Sequence, residues 1–412
     1  MIAGRLASDM GLGAADLGLL TSVYFLVFGA AQIPTGSLLD RFGPRKVQSA
    51  LLLVAALGAG LFATAMSLSS LVVARALIGL GVASTLTAGL KAIVLWFPRE
   101  RVALINGYMM MLGALGAVTA SAPAEYLLGL TGWRGFFEIL GISSTLVAAL
   151  IYCLVPERRV RQTASAKPSS LRTIYTDPRF WKIAPLSATC VGSAWALQGL
   201  WASPWMADVA GLDRAGIITD LFVMAMSLSM GAWLLGIVAD RLRRKGIRTE
   251  QMLVVVGLAL IAAESMLVLR VPVPAILPWS VVALVGAGVV LSFAITAEYF
   301  PPELAGRANG ALNMLHFAWA FLVQYGIGLV LEQWPHPGGH YPADAYQKAF
   351  GMAIALQVLA LAWFVLPRRQ ILVRRFGSFR QAAAGRAHLG EEFFISADQS
   401  FSRAILDGGR EW

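Results

Sequence analysis

The sequence predicts an all-α, polytopic membrane protein made of two similar helical bundles, and three observations predict this class. Hydrophobic residues make up 58% of the 412 residues and charged residues only 14%, against roughly 25% charged in an average soluble domain. The hydrophobic residues are gathered into long, nearly uncharged blocks. Two sequence motifs recur in the second half of the chain at almost one common offset.

Eleven hydrophobic blocks are each about 20 residues or longer, enough for a helix rising 1.5 Å per residue to cross roughly 30 Å of hydrocarbon. Gly and Pro interrupt many of them, which spanning helices tolerate because neighbouring helices satisfy the freed backbone groups. Buried helices of a large soluble protein are the alternative, but the short loops leave too little polar surface for that. The predicted spans are 15–39, 47–67, 69–97, 102–128, 133–155, 182–206, 214–239, 251–270, 275–299, 305–332 and 346–367.

A turn rich in glycine and charge occurs once in each half of the chain. Its copies are Gly36-x-x-x-Asp40-Arg41-Phe42-Gly43-Pro44-Arg45-Lys46 and Gly236-x-x-x-Asp240-Arg241-Leu242-Arg243-Arg244-Lys245. A second motif, Phe97-Pro98-x-Glu100 followed by Asn106-Gly107, recurs as Phe300-Pro301-x-Glu303 followed by Asn309-Gly310. Two motifs at nearly one offset indicate internal duplication, which in a membrane protein is typical of a transporter built from two halves.

The net charge is +10, from 33 Lys and Arg against 23 Asp and Glu. The distribution of these cations among the loops predicts the orientation of the chain in a membrane. If the blocks alternate across a bilayer, the loops on one side and the C-terminal tail carry 26 of the 33 cations. Cytoplasmic loops of membrane proteins are enriched in such residues. We therefore expect these loops and the C-terminus to face the cytoplasm, and we interpret the charge as an orientation signal and not as a nucleic-acid site.

The domain boundaries follow from the spans and from one basic stretch. We expect an N-terminal bundle at 1–155, a cytoplasmic linker at 156–181, a C-terminal bundle at 182–367 and a cytoplasmic tail at 368–412, whose basic start suits anionic lipid headgroups. Span 214–239 matches 15–39, so the partner of 182–206 would fall before Met1. The first half thus has five spans and the second six, and we expect a further helix upstream, lost through a wrong start site or a true truncation.

Residues that could carry enzyme or metal chemistry are few. The two cysteines, Cys153 and Cys190, both lie in predicted spans, so the sequence offers neither a disulfide framework nor a metal-ligand spacing. It also contains no Walker loop and no nucleophile arrangement. We therefore expect a protein that is not an enzyme and needs no cofactor, and whose energy source is a gradient of protons, another ion or the solute.

The first turn resembles the loop after the second helix of the major facilitator superfamily, with the pattern G-x3-D-R-x-G-R-R/K, except that Pro44 replaces the first basic residue. The resemblance covers residues 10–367 and makes the first visible span the family's second helix. It implies two six-helix bundles that rock around a central cavity, in a multi-pass protein of a bacterial inner membrane. An antiporter pattern of the family is only partly present in span 102–128, where Ala120 and Ser121 replace Gly-Pro.

The resemblance also implies a conformational latch formed by the two turns at the cytoplasmic rim, which stabilises the outward-open state. Gly36 is expected to let a helix end approach its neighbour closely, and Asp40 to cap or pair with a nearby group. The alternative is that these residues only anchor the topology. The predicted latch residues are Gly36, Asp40, Arg41, Arg45, Asp240 and Arg241.

Ionisable groups within a bilayer are costly and are therefore functional candidates. Lys91 shares a polar stripe with Ser84 and Thr87 at helical spacing, and we expect it to meet an anionic group of the substrate in a cavity. The alternative is that the long Lys91 side chain snorkels, so that its ammonium group reaches the nearby membrane–water interface. Span 182–206 adds Trp195, Gln198 and Trp201 as predicted cavity residues, for which core packing is the alternative.

Two residues are candidates for proton coupling. His316 is the only histidine inside a predicted span and is of a type that titrates near neutral pH, although such a residue can simply bond a neighbouring helix. Glu298 lies at a cytoplasmic helix end, where an ion pair with Arg241 or Arg307 is the alternative role.

The function that these features predict is secondary active transport of a small solute, an organic anion if Lys91 binds it, by alternating access. The partners would be that solute, protons or another coupling ion, and the lipid bilayer. Three alternatives stay open: an exporter of amphipathic drugs, a membrane sensor that binds a solute without moving it, and an inactive truncated transporter.

Overall fold

The computed structural model describes residues 2–98, 171–300, 302–335 and 340–366, together with 101–156 except 102–103, 106–107, 110–111, 114, 117–118 and 121. The predicted tail and most of the predicted linker lie outside these residues. The helices with complete bounds are α1 (Ile2–Met10), α2 (Ala14–Phe42), α3 (Pro44–Ala63), α4 (Leu68–Val82), α5 (Thr85–Trp96), α6 (Ala122–Leu154), α7 (Leu171–Tyr175), α8 (Pro178–Ala196), α9 (Ala202–Asp208), α10 (Arg214–Arg244), α11 (Thr249–Val268), α12 (Ile276–Gly286), α13 (Val289–Tyr299), α14 (Pro302–Leu331) and α15 (Ala343–Val365).

The prediction of an all-α membrane protein is confirmed. Within the described part of the chain, nine helical segments are long and apolar enough to cross a membrane. Predicted span 102–128 is only partly described. Predicted span 182–206 is helical throughout, as α8, a π-helical turn at Leu197–Trp201 and α9, but α8 is more polar and is not among the nine. Helix α6 contains the end of predicted span 102–128 and nearly all of predicted span 133–155, and it is kinked between them at Gly132 (φ 67°).

The two halves repeat the same local structure. Helices α2 and α10 begin at residues 14 and 214, and each ends at a copy of the charged turn. A break separates α4 from α5 at Ala83–Ser84, and a similar break separates α12 from α13 at Ala287–Gly288. The caps after α5 and α13 are Phe97 and Phe300, both extended. These matched breaks and caps are what a duplicated bundle predicts.

The first charged turn has a backbone that explains its sequence. Gly43 adopts φ 80° between α2 and α3, a conformation that costs little only for glycine. Pro44 follows as the first residue of α3, a position where its fixed φ and missing N–H suit a helix start. The replacement of a basic residue by Pro44 therefore keeps the turn and starts the next helix.

Each half has its own hydrophobic core. In the N-terminal half, Phe62 and Phe137 stack at 4.0 Å between ring centroids, with Trp133 against their edge. In the C-terminal half, Trp279 packs against Trp205 and Phe350. Residues up to Phe364 form one compact unit, in which α2 and α14 make contact between the halves.

Candidate functional site

The two ends of the molecule differ in how the halves meet. We call the end that carries Asp40 and Asp240 the turn end, and the end where α2 begins and α14 finishes the far end. The far end includes Ala14 and Leu331.

At the turn end, the two latch aspartates pair within their own halves. Asp40 lies 2.5 Å from Lys91, and Asp240 lies 2.7 Å from Arg244 and 3.4 Å from Arg243 on its own helix. The Asp40 side chain is 82% exposed, so this ion pair is open to its surroundings. The structure thus joins Lys91 to the predicted latch.

The other predicted latch residues also show an open turn end. Arg41 lies over Phe42, Arg45 lies over Tyr152, and Arg241 is exposed. A Cβ atom added to Gly36 would meet nothing within 4 Å. The close approach expected at this glycine is therefore not made in this conformation.

The polar stripe beside Lys91 is divided between two environments. Ser84 is fully buried and donates to Gln48 Oε1 on α3 at 2.8 Å, while Thr87 is exposed and bonds the backbone of Ser84. Ser84 and its partner thus hold α3 against the break between α4 and α5. The structure does not place Ser84, Thr87 and Lys91 together around one cavity.

Another cation of the N-terminal half, Arg75 on α4, has a different environment. Its guanidinium lies 4.9 Å from the ring centroid of Phe62 and 5.5 Å from that of Phe137. Its Nε is buried without a hydrogen bond, and no carboxylate pairs with it among the residues that the structure describes. One turn on, Gly79 brings α4 against the backbone of Tyr24 on α2. A cation so enclosed is costly without an anion.

The middle of the interface between the halves is aromatic. The Phe317 ring on α14 lies 4.6 Å from the tilted ring of Phe28 and stacks on Phe25 at 6.0 Å between centroids, both from α2. Trp195 on α8 lies 4.9 Å from the same Phe317 ring. Rings of this kind gain roughly 0.5–1.5 kcal/mol per pair beyond their buried area, so these residues hold α2, α8 and α14 together.

Of the predicted residues of span 182–206, Gln198 and Trp201 lie in the π-helical turn and Trp195 lies in α8 just before it. Such turns are frequent at functional sites. Trp195 donates to the Gly286 carbonyl at 3.2 Å, and buried Trp201 donates to the backbone of Gln324 at 3.1 Å. Gln198 is half-buried, and its Nε2 has no partner. The side-chain amide of Gln324 is likewise buried and unbonded. Both side chains therefore keep amide atoms without a hydrogen bond in this conformation.

The two proton-coupling candidates lie in different surroundings. His316 is fully buried and bonds Ser187 at 2.6 Å. Glu298 lies at the turn end, where Thr249 donates to it at 3.4 Å. The ion pairs of Glu298 with Arg241 or Arg307 that the sequence suggested stay predictions.

At the far end, bonds cross between the halves. Glu332 accepts a hydrogen bond from the backbone N–H of Ala15 at 2.6 Å, and the Tyr341 hydroxyl accepts one from Ala14 at 3.2 Å. Both residues follow α14, and they cap the N-terminus of α2. A carboxylate there also meets the positive end of the helix dipole.

An ion-pair cluster adds to the closure of the far end. Glu125 of the N-terminal half pairs with Arg214 of the C-terminal half. Arg5 lies 3.2 Å from the same carboxylate and donates to the Leu128 carbonyl at 2.7 Å. The far end is therefore bridged by charges as well as by helix packing.

The fold and this site define the class of the molecule: a multi-pass integral membrane protein whose two helical halves close upon each other at one end. The chain belongs to the Major Facilitator Superfamily, whose family model matches residues 1–324.

Named relatives and a solved structure agree with this membership. A hexuronate transporter of Escherichia coli is 24% identical over 396 residues, which are 89% of each chain. A probable sulfoacetate transporter of Cupriavidus necator is 25% identical over 256 residues, 58% of this chain and 59% of that protein, so less than two thirds of its length is matched. A bacterial homologue of the lysosomal transporter Spinster, solved in an inward-facing and occupied conformation, shares the fold with a TM-score of 0.69 at 17% identity, over 88% of this chain and 90% of that one.

Several residues of this site gave no sequence signal. Glu332 and Tyr341 are polar residues in a loop, as ordinary loops contain. Ser187 and Ser292 lie 105 residues apart in the C-terminal half, and no spacing in the sequence predicts their contact. Arg75 is visible in the sequence as an ionisable residue inside predicted span 69–97, but the Gly79 and Val82 that share its helix face favour a packing surface over a site.

Proposed function

We propose that this protein is a secondary active transporter that carries a small organic anion across a bacterial inner membrane by alternating access. One observation carries the proposal: the halves are bridged at the far end, while the two latch aspartates at the turn end, Asp40 and Asp240, pair within their own halves. A binding site between such halves communicates with one side only, which is what alternating access requires. With the predicted orientation, this conformation opens to the cytoplasm.

The substrate class follows from the relatives and from charge. Hexuronate and sulfoacetate, named for two relatives, are small organic anions. The family and these relatives support a protein that is not an enzyme. Among the residues that the structure describes, Arg75 is a half-buried cation without a carboxylate partner, whereas Lys91 already pairs with Asp40. We assign the anion contact to Arg75, and we place Lys91 in the latch.

Counterflow in proteoliposomes tests the transport proposal. Purified full-length protein is reconstituted, the vesicles are loaded with unlabelled D-glucuronate, and entry of labelled D-glucuronate is measured. A transporter exchanges label, since counterflow needs no ion gradient. A sensor that binds the anion without moving it gives stabilisation of the protein but no exchange, and that result would overturn transport.

Two substitutions separate the candidate cations. In a thermal-shift assay with D-glucuronate and sulfoacetate, we expect Arg75→Ala to abolish the anion-induced rise in Tm and Lys91→Ala to keep it. If Lys91→Ala abolishes the rise in Tm and Arg75→Ala keeps it, Lys91 binds the anion, as the sequence suggested. If both variants keep the full shift, neither cation is needed for anion binding and the assignment of the anion contact to Arg75 is wrong.

A second function is favoured by the aromatic interface. Rings such as Phe25, Phe28 and Phe317 can stack on flat amphipathic molecules, as in an exporter of drugs. Ethidium tests this alternative: stabilisation and transport of ethidium, with no response to either anion, would establish the exporter in place of the anion transporter.

A further inference from the structure

His316 is the first member of a buried chain of hydrogen bonds. Its Nε2 lies 2.6 Å from the Ser187 hydroxyl, which lies 2.6 Å from the Ser292 hydroxyl. Ser292 in turn is 3.5 Å from the backbone carbonyl of Gly288. The three side chains are completely buried and come from α14, α8 and α13.

The end of this chain fixes the protonation of the imidazole. A backbone carbonyl can only accept, so Ser292 donates to Gly288 and Ser187 donates to Ser292. Each hydroxyl has a single proton, so Nε2 of His316 must donate to Ser187. In a neutral imidazole only one nitrogen carries hydrogen. Nδ1 is therefore an unprotonated acceptor, and it is buried without any hydrogen bond.

No described contact of His316 is to a charged group. The Trp195 and Phe293 rings lie 5.9 and 6.1 Å from the imidazole, measured between centroids. The ionisable groups on the middle of the elements packed against α14 are Tyr24 on α2 and Cys190 on α8, with Glu298 near the end of α13. None of these three has a described bond to the imidazole.

We propose that Nδ1 of His316 takes up the proton that is transported together with the anion; this rests on the proposed function above. In the empty site an imidazolium would be a lone charge among apolar rings, which is costly. A bound anion offsets that charge. Because coupling between two ligands is reciprocal, the proton then strengthens anion binding as much as the anion strengthens proton binding.

The step balances without any other reactant. A proton from water on the open side adds to the Nδ1 lone pair, and the imidazole becomes a cation with both nitrogens donating. The hydrogen bonds through Ser187 and Ser292 keep their direction. The proton leaves to water when the site opens to the other side, so a monovalent anion and the proton cross with no net charge.

The resting tautomer can be observed without any substrate. In a full-length variant with His336, His340 and His388 changed to Gln, nitrogen-15 NMR of labelled histidine reports on His316 alone. We expect an unprotonated Nδ1 and a protonated Nε2 at neutral pH. A protonated Nδ1 in the empty protein would overturn the proposal.

Coupling is tested by comparing two transport modes in proteoliposomes. With D-glucuronate and an outside pH one unit lower, one-to-one symport sustains up to about tenfold accumulation, since one pH unit equals a tenfold concentration ratio. His316→Gln keeps an amide donor for Ser187 but binds no proton. We expect this variant to lose uphill accumulation and to keep counterflow.

Two matched variants make the result decisive. His340→Gln removes an exposed histidine that bonds Asp208, and Glu298→Gln removes the other coupling candidate; both should keep accumulation. Accumulation retained in His316→Gln, or lost only in Glu298→Gln, rejects His316 as the proton site. Absence of counterflow in the wild type rejects the proposed transport of this anion class instead, so the two failures are distinguishable.

Discussion

At the scale of single residues, the least expected feature is a buried carboxyl group paired with an amide. Glu264 on α11 and Gln357 on α15 are both completely buried. The Gln357 Nε2 lies 2.9 and 3.0 Å from the two carboxyl oxygens, while its Oε1 has no partner. The pair thus links two helices of the C-terminal half.

Substitutions of this pair should separate charge from hydrogen bonding. Gln357→Leu leaves the carboxyl group buried without a donor, and we expect it to lower the free energy of unfolding by about 1–3 kcal/mol. Glu264→Gln keeps a donor and an acceptor and should change stability much less. Denaturant unfolding in detergent measures both, with exposed Gln333→Leu as the control. Equal stability of Gln357→Leu and wild type would show that the pair contributes nothing.

At the scale of helices, small residues bring α2 and α14 into backbone contact at the far end. A Cβ atom on Gly328 would lie 2.6 Å from the Ala14 carbonyl oxygen, and one on Gly18 would lie 3.0 Å from the Gln324 carbonyl oxygen. Close packing of this kind supplies van der Waals contact between helices in a membrane, where the hydrophobic effect does not join them. Close packing of α2 against α14 therefore helps to close the far end, in addition to the bonds between its charged groups.

The same helix provides a test and its control. Gly328→Leu would push α2 away, so we expect the far end to open more often. Gly326→Leu lies on the same helix with nothing within 4 Å of its added Cβ and should have little effect. Maleimide labelling of Leu17→Cys, which faces the C-terminal core, reports the opening in a background without Cys153 and Cys190. For Gly328→Leu, labelling about tenfold faster than in the wild type corresponds to a shift of about 1.4 kcal/mol in the opening equilibrium. Equal labelling rates in Gly328→Leu and Gly326→Leu would show that this close contact does not hold the far end closed.

At the scale of the whole molecule, the far end is held closed by bonds between the halves, whereas the turn end is open. The far end is held by Glu332 and by the pair of Glu125 with Arg214, whereas Gly36 and Gly236 at the turn end face open space. A transition to the opposite conformation must break the first set and bring the turn-end surfaces together. The conformational equilibrium thus depends on a few bonds at each end.

Removing the far-end bonds should shift that equilibrium. For the double variant with Glu332→Gln and Arg214→Gln we expect a shift of about tenfold toward the conformation open at the far end. Glu332→Gln removes the charge from the acceptor of the Ala15 N–H, and Arg214→Gln removes the ion pair with Glu125; such partly exposed charged contacts contribute about 1 kcal/mol each or less. Spin labels at Gly11 and Gln333 report the separation of the halves by pulsed electron resonance. Exposed Glu138→Gln is the control. An unchanged distance distribution in the double variant would mean that these bonds do not set the conformation.

The sequence by itself determined the membrane class, the duplicated halves and the family, because these depend on local properties: hydrophobic length, charge placement and a motif that recurs. It also indicated His316 and Lys91, since a charge or a histidine within a span is visible in one dimension. Only the tertiary structure decided what these groups contact. It paired Lys91 with Asp40, left Arg75 among aromatic rings, gave His316 its two serines and bound Glu332 to the start of α2. Such pairings join residues from helices far apart in the chain, and their distances are set by packing, which no pattern along the sequence contains.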